Sequence, residues 1–102
     1  MVKSELIRLL NEKHPELAAK DVELAVNCVL EQMITALEKG ERIEVRGFGS
    51  FNLHHHAARI GRNPKTGEVV QLPKKVALHF KPGKALKERV DAASCKYPIS
   101  VQ

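Results

Sequence analysis

The spacing of apolar residues predicts two helices in the first 40 residues of the chain. In residues 4–13, one helical face is formed by Leu6, Ile7, Leu9 and Leu10. Ser4 is suited to cap this helix at its start. Pro15 ends it, because a residue that precedes proline disfavours the helical conformation.

A longer helix is predicted from about Ala18 to Lys39. Its apolar residues recur at helical spacing and are Val22, Ala25, Val26, Val29, Leu30, Met33, Ala36 and Leu37. Its start lacks a Ser, Thr or Asn cap, so that boundary is left open, whereas Gly40 suits the left-handed position that ends a helix. A helix-turn-helix that reads DNA is rejected, because residues 1–41 carry five Lys/Arg against eight Asp/Glu. This half is better suited to the core of a dimer.

After Gly40 the apolar period changes to two, which predicts strands. Ile43 and Val45 lie on the first strand, and Gly47 makes a turn. The second strand is predicted to carry Phe48, Phe51 and Leu53, with a bulge at Gly49. The third carries Val76, Leu78 and Phe80, and a last helix over 84–93 has Ala85, Leu86 and Val90 on one face.

The polar stretch from His54 to Lys75 has few apolar residues to bury. Its centre, Arg62 to Gly67, is rich in turn-forming residues. A hairpin here has no apolar face with which to pack, so it is predicted to project as a basic two-stranded arm. Such a hairpin is marginal in water, and DNA phosphates are a partner that would order it.

Charge is distributed unevenly along the chain. Residues 42–102 carry twelve Lys/Arg and four Asp/Glu, in contrast to the acidic first half. This distribution indicates a polyanion as partner, either nucleic acid or an anionic membrane, although a solvated surface is an equal alternative on charge alone. The basic residues fall mostly on strands and the arm, whereas a membrane-surface protein needs a basic amphipathic helix, so nucleic acid is favoured.

Several classes of protein do not fit the sequence. There is no phosphate-binding loop, nucleophile elbow or cluster of carboxylates, so no enzyme activity is predicted. The two cysteines, Cys28 and Cys95, are isolated, and Cys28 is interpreted as a small core or near-core residue. With no membrane span or signal peptide predicted, the expected location is the cytoplasm.

Three motifs in order and spacing resemble the HU/integration-host-factor family of bacterial DNA-bending proteins. They are Gly47-Phe48-Gly49-Ser50-Phe51, then Arg59 through Gly67 (Arg-Ile-Gly-Arg-Asn-Pro-Lys-Thr-Gly), then Phe80-Lys81-Pro82-Gly83-Lys84. The resemblance covers about residues 1–92. Within the family, residues 41–46 resemble a beta-type integration host factor chain, because HU chains usually have neutral residues at positions 44 and 46.

The resemblance implies an α+β fold and an intertwined dimer with a helical base, an antiparallel sheet saddle and two β-ribbon arms. It implies one DNA-binding domain over residues 1–93, with helices for dimerisation in 1–40, sheet and arm in 41–81 and a helix in 84–93. Residues 94–102 are expected to form a loose tail. The implied partners are the minor groove of double-stranded DNA and either an alpha-type subunit or a second copy of the chain, within the bacterial nucleoid.

Pro64 matches the arm-tip proline that inserts between base pairs, although Asn63-Pro64 alone is a common way to start a turn. The residues expected to contact DNA are Lys3, Arg42, Glu44, Arg46, His54, His56, Arg59, Gly61, Arg62, Asn63, Lys65, Lys74, Lys75, His79, Lys81, Lys84 and Lys87. For Glu44 and Arg46, an influence on sequence preference and an ordinary exposed pair are equally supported.

Histidine replaces the arginine that beta-type chains tend to have at position 56, so phosphate contact there is expected to depend on pH. His54 and His56 share a strand face, but two imidazoles without a third ligand make a poor metal site, so no metal or cofactor is predicted.

Overall fold

The structure, a computed structural model, describes residues 1–97 of the 102-residue chain. The predicted loose tail therefore lies partly outside the described residues. The described part divides into two compact units, one ending at Lys39 and the other beginning at Gly40. The order of the helices and strands agrees with the α+β arrangement predicted from the sequence.

The N-terminal unit is a pair of helices, α1 (Lys3–Lys13) and α2 (Ala19–Glu38). Val2 occupies the cap position of α1 without a side-chain hydrogen bond. The prediction that Ser4 caps α1 is therefore wrong, because Ser4 already lies inside the helix. Gly40 follows α2 with φ of 82°, as predicted, because glycine adopts this left-handed conformation without steric cost.

Few side chains of the helix pair are buried in the single chain. Val22 on α2 is 7% exposed and is the only buried apolar residue among residues 1–97. The exposed large apolar residues of α2 are Leu24, Val29, Leu30 and Ile34. Cys28 is also exposed, so its interpretation as a core or near-core residue is wrong for the single chain. Much of the apolar surface of α2 thus remains uncovered within this chain.

Between Gly40 and residue 97, the second unit contains two antiparallel sheets and one helix. A three-stranded sheet has the order β1 (Ile43–Val45), β2 (Gly49–His56) and β5 (Lys75–Pro82). A two-stranded sheet joins β3 (Arg59–Arg62) to β4 (Val69–Leu72). Helix α3 spans Lys84–Ala93, in agreement with the predicted last helix.

A cluster of three aromatic side chains lies on the apolar face of the three-stranded sheet. Phe51 lies opposite Phe80 across β2 and β5, and their ring centroids are 4.8 Å apart. The ring of Phe48 lies 5.4 Å from that of Phe80, although Phe48 precedes β2 rather than lying on it. Phe80 thus joins two aromatic residues that are separate in sequence.

Gly49 lies under this cluster, and the predicted bulge there is wrong. The register is regular, with Gly49 opposite Val45 on one side and Pro82 on the other. A Cβ atom at Gly49 would come within 2.6 Å of the Lys81 carbonyl oxygen and 2.7 Å of Phe80 Cζ. Glycine is required here for close packing and not for an irregular strand.

Within the described residues, no helix is both long and apolar enough to cross a membrane.

Candidate nucleic-acid interface

The face of the three-stranded sheet opposite the aromatic cluster is polar and basic. Because side chains alternate along a strand, even-numbered residues of β2 share this face with their cross-strand partners on β1 and β5. The register therefore brings together Glu44, Ser50, Asn52, His54, His56, Lys75, His79 and Lys81. Six of these eight residues were predicted to contact DNA, and they lie on three separate stretches of sequence.

Two residues of this polar face, Ser50 and Asn52, were not predicted from the sequence to contact DNA. The Asn52 side-chain amide donates a hydrogen bond of 3.4 Å to the Ser50 hydroxyl, which is buried. Their even numbers on β2 are the signal that would have placed them beside His54.

His54 and His79 form a side-chain pair on the polar face. Their ring centroids are 4.8 Å apart and the ring planes are inclined by 46°. The two residues are diagonal neighbours, since Asn52 is opposite His79 and the small Ala77 is opposite His54. Ala77 leaves room for the imidazoles to approach each other.

A second group of predicted residues lines a shallow depression at the end of the same sheet. The lining includes Arg42, Glu44, Arg46, Lys81 and Lys84. Arg42 and Glu44 are 4.0 Å apart, and Lys84 lies 3.8 Å from Glu88 on α3. These pairs are exposed and contribute little to stability, so their cations are available to an anion.

The arm is the antiparallel pair β3 and β4, and it carries basic residues on exposed positions. The register pairs Arg59 with Leu72 and Arg62 with Val69. Ile60 is 73% exposed, so this apolar side chain of the arm is largely uncovered. At Gly61, a Cβ atom would lie 3.2 Å from Leu72 Cδ1, so this glycine lets the Leu72 side chain lie against β3.

The tip of the arm is held by hydrogen bonds around Pro64. The backbone N–H of Lys65 donates to the Asn63 side-chain oxygen at 2.9 Å, and that of Gly67 donates to the Asn63 carbonyl at 2.8 Å. Gly67 has φ of 74°, which suits glycine. Pro64 itself is exposed and its nitrogen bears no hydrogen. The tip therefore presents an apolar ring on a turn that other residues determine.

Both strands lose their pairing at the base of the arm. His56 is paired with Lys75, and the next pair towards the tip is Arg59 with Leu72. Residues 57–58 and 73–74 therefore face each other without strand pairing, and Pro73 has no N–H to donate. We call these four residues the arm base.

Comparison with known proteins identifies the family of this chain. The family described as "Bacterial DNA-binding protein" matches residues 1–91. This chain belongs to that family.

Curated relatives within the bacterial DNA-binding family are closely similar. Integration host factor subunit beta of Alkalilimnicola ehrlichii is 64% identical over 92 residues, which cover 90% of this chain and 92% of the relative. The same subunit of Halorhodospira halophila is 58% identical over 102 residues, the whole of both chains. The predicted membership of the HU/integration-host-factor family is confirmed.

Solved structures of HU proteins have the same fold. The HU chain of an Anabaena HU–DNA cocrystal is 36% identical, with a TM-score of 0.74, and the match covers 88% of this chain and 97% of that one. HU from Thermotoga maritima matches with a TM-score of 0.59 and 36% identity, covering 88% of this chain and 98% of that one. The α+β fold class is confirmed. Members of the family are architectural DNA-binding proteins and not enzymes.

The remaining predicted contact residues of this family member lie on several elements. Lys3 is exposed at the first residue of α1, in the N-terminal unit. Lys74 belongs to the arm base and is exposed, and Lys87 is exposed on α3. Among residues 1–97, no group of three or more His, Cys, Asp or Glu side chains is arranged to hold a metal ion.

Proposed function

We propose that the chain is the beta-type subunit of a dimer that wraps and sharply bends duplex DNA. The observation that carries this proposal is the arm, an exposed basic hairpin with a proline at a tip that its neighbours hold in shape. The identity of 57–64% to integration host factor beta subunits supports the beta-type assignment.

In the proposed mechanism, Lys and Arg side chains of the polar face and the arm neutralise phosphates and release counterions. The arm lies in the minor groove, where Pro64 separates a base step. Insertion of an apolar wedge is the known mode of action of this family, and here it is assigned to Pro64 by position. Bent DNA then meets more of the basic surface, which offsets the deformation energy. Preference between sites arises mainly from DNA deformability.

The second subunit in the proposal is an alpha-type chain of the same family. The exposed apolar residues of α2 support a partner chain, because one subunit leaves them in water. A homodimer that binds DNA with little sequence preference, as HU-like proteins do, is the alternative. We infer that the dimer acts in the bacterial nucleoid and assists recombination, transcription regulation and DNA packing.

A binding assay with charge-matched variants tests the role of the arm in the proposed function. In the arm variant, Arg59, Arg62 and Lys65 become Gln. In the control variant, Lys13, Lys20 and Lys39 become Gln, so both lose three positive charges, but the control loses them from the acidic N-terminal half. We expect the arm variant to lose roughly tenfold or more in affinity for a duplex labelled at both ends, and the control to lose much less. Equal losses in the two variants would contradict a specific role for the arm.

Mass measurement under native conditions tests the choice of partner. We expect the chain mixed with its alpha-type partner to form mainly a mixed dimer, and its denaturation midpoint to rise with protein concentration. A homodimer that persists in the mixture would favour the alternative. A monomer whose midpoint is independent of concentration would overturn the proposed dimer.

A further inference from the structure

The polar face of the three-stranded sheet concentrates imidazoles. The rings of His54 and His79 lie 4.8 Å apart, and His56 follows two residues after His54 on the same face. An unperturbed imidazole titrates near pH ~6.5, within the range of ordinary cellular pH changes. The face therefore brings together three side chains of the type best suited to respond to a change in pH.

The charged neighbours of these imidazoles are mostly cationic. On β5, Lys75 is directly opposite His56. The other groups of the polar face are Ser50 and Asn52 on β2, Lys81 on β5 and Glu44 on β1. Glu44 is opposite Ser50, which is four residues before His54 on β2, and its carboxylate is 4.0 Å from Arg42. No carboxylate of the three-stranded sheet is therefore paired directly with an imidazole.

We propose that the His54–His79 pair, with His56, is a proton-linked binding site for DNA phosphates. In the free protein, the three-stranded sheet pairs no carboxylate with these imidazoles. A phosphate placed over the face supplies an anion, and an anion near an imidazole favours its protonated form. Binding of DNA then takes up protons, and affinity rises as the pH falls. This inference rests on the proposed function.

The effect is measured by calorimetry of duplex binding in buffers with different ionisation enthalpies. The dependence of the measured heat on buffer gives the number of protons taken up on binding. We expect about one proton or more per chain near pH 6.5, and an affinity roughly 3- to 10-fold higher at pH 6.0 than at pH 7.5.

Three variants assign the protons to the pair. H54N/H79N removes both imidazoles, and we expect it to lose most of the proton uptake. H55N is the control, because His55 is exposed on the same strand but points to the opposite face, and its uptake should stay at the parent value. H54K/H79K keeps permanent positive charge, so it should bind at pH 7.5 at least as tightly as the parent while taking up few protons.

Proton uptake that is zero in the parent chain, or equal in the parent and H54N/H79N, would overturn the inference. Duplex binding and bending at pH 8 would still support the proposed function in that case. A chain that fails to bind duplex DNA at any pH would overturn both.

Discussion

At the scale of single residues, the residues that determine the conformation of the arm tip differ from the residue that forms its exposed apolar surface. Asn63 and Gly67 hold the turn through backbone and side-chain hydrogen bonds, whereas Pro64 takes no part as a donor. A change at Pro64 therefore alters the exposed surface of the tip more than its conformation. This division allows binding and bending to be tested separately.

Pro64→Ala should reduce bending more than binding. Alanine leaves the hydrogen bonds around Asn63 in place but removes the rigid ring, and unstacking a base step costs a few kcal/mol. We expect a modest loss of affinity for a straight duplex and a clear drop in bend angle, measured by fluorescence transfer between the duplex ends. DNA that is nicked or mismatched at the kink should restore much of the loss.

Arg62→Ala is the control for this prediction. It should weaken binding to straight and pre-kinked DNA alike, through a lost phosphate contact. If Pro64→Ala bends DNA as well as the parent, or loses equal affinity on both substrates, Pro64 is only a turn residue.

Gly49→Ala should destabilise the dimer by about 1–3 kcal/mol through overpacking. The added Cβ would meet a backbone carbonyl at 2.6 Å, which cannot move without disturbing the β2–β5 ladder. Gly61→Ala is the matched control, since its Cβ meets only the flexible end of Leu72 at 3.2 Å. Urea denaturation at one fixed protein concentration measures both, and a smaller effect at Gly49 than at Gly61 would refute the packing argument.

At this scale, the sequence identified Gly49 as an important position but did not show the reason for its importance. Gly49 stood out because it breaks the alternation of apolar residues, but its reason is the approach of Phe80, thirty-one positions later in the chain. Such a contact is not visible in a local pattern. The cap expected at Ser4 failed because α1 begins at Lys3, with Val2 in the cap position and no side-chain hydrogen bond to mark the start.

At the scale of elements, the apolar period and the turn residues placed α1, α2, α3 and, apart from Phe48 before β2, the strands β1, β2 and β5. The apolar period of two ends near Leu53, yet β2 continues to His56, because pairing with β5 and not burial sustains the last residues. The position of the arm base depends on where both strands stop pairing. That is a property of two distant segments and is not contained in either one.

The arm should be the least protected element in the absence of DNA. Amide exchange over about 57–74 should be fast, because the two strands pair only with each other and Ile60 is exposed. Exchange in α2 should be slow once the dimer has formed. Exchange measured by mass spectrometry, with and without duplex DNA, tests this, and strong protection of the free arm would count against it.

At the scale of the whole molecule, acidic and basic residues are concentrated in different parts of the chain. The acidic first 41 residues hold the apolar helices, and the basic remainder holds the polar face and the arm. Sequence alone predicted this division. The polar face could be located only with the strand register, which assembles it from β1, β2 and β5.

DNA binding should depend steeply on salt. If a dimer neutralises roughly 8–12 phosphates, the logarithm of the association constant should fall against log salt with a slope near −7 to −11. Fluorescence anisotropy with a labelled duplex over a range of KCl concentrations gives the slope. A slope shallower than about −3 would mean that most basic residues lie away from the DNA.

The unpaired arm base has a consequence for how such proteins diversify. Because strand pairing stops at the same level on both sides, residues between 57 and 74 form a cassette whose strands pair only with each other and not with β2 or β5. Exchanging this cassette with that of another family member leaves the aromatic cluster and the ladder of β2 and β5 untouched. Substitutions in this one segment can therefore change how the arm binds DNA, while the aromatic cluster and the β2–β5 ladder evolve independently of them.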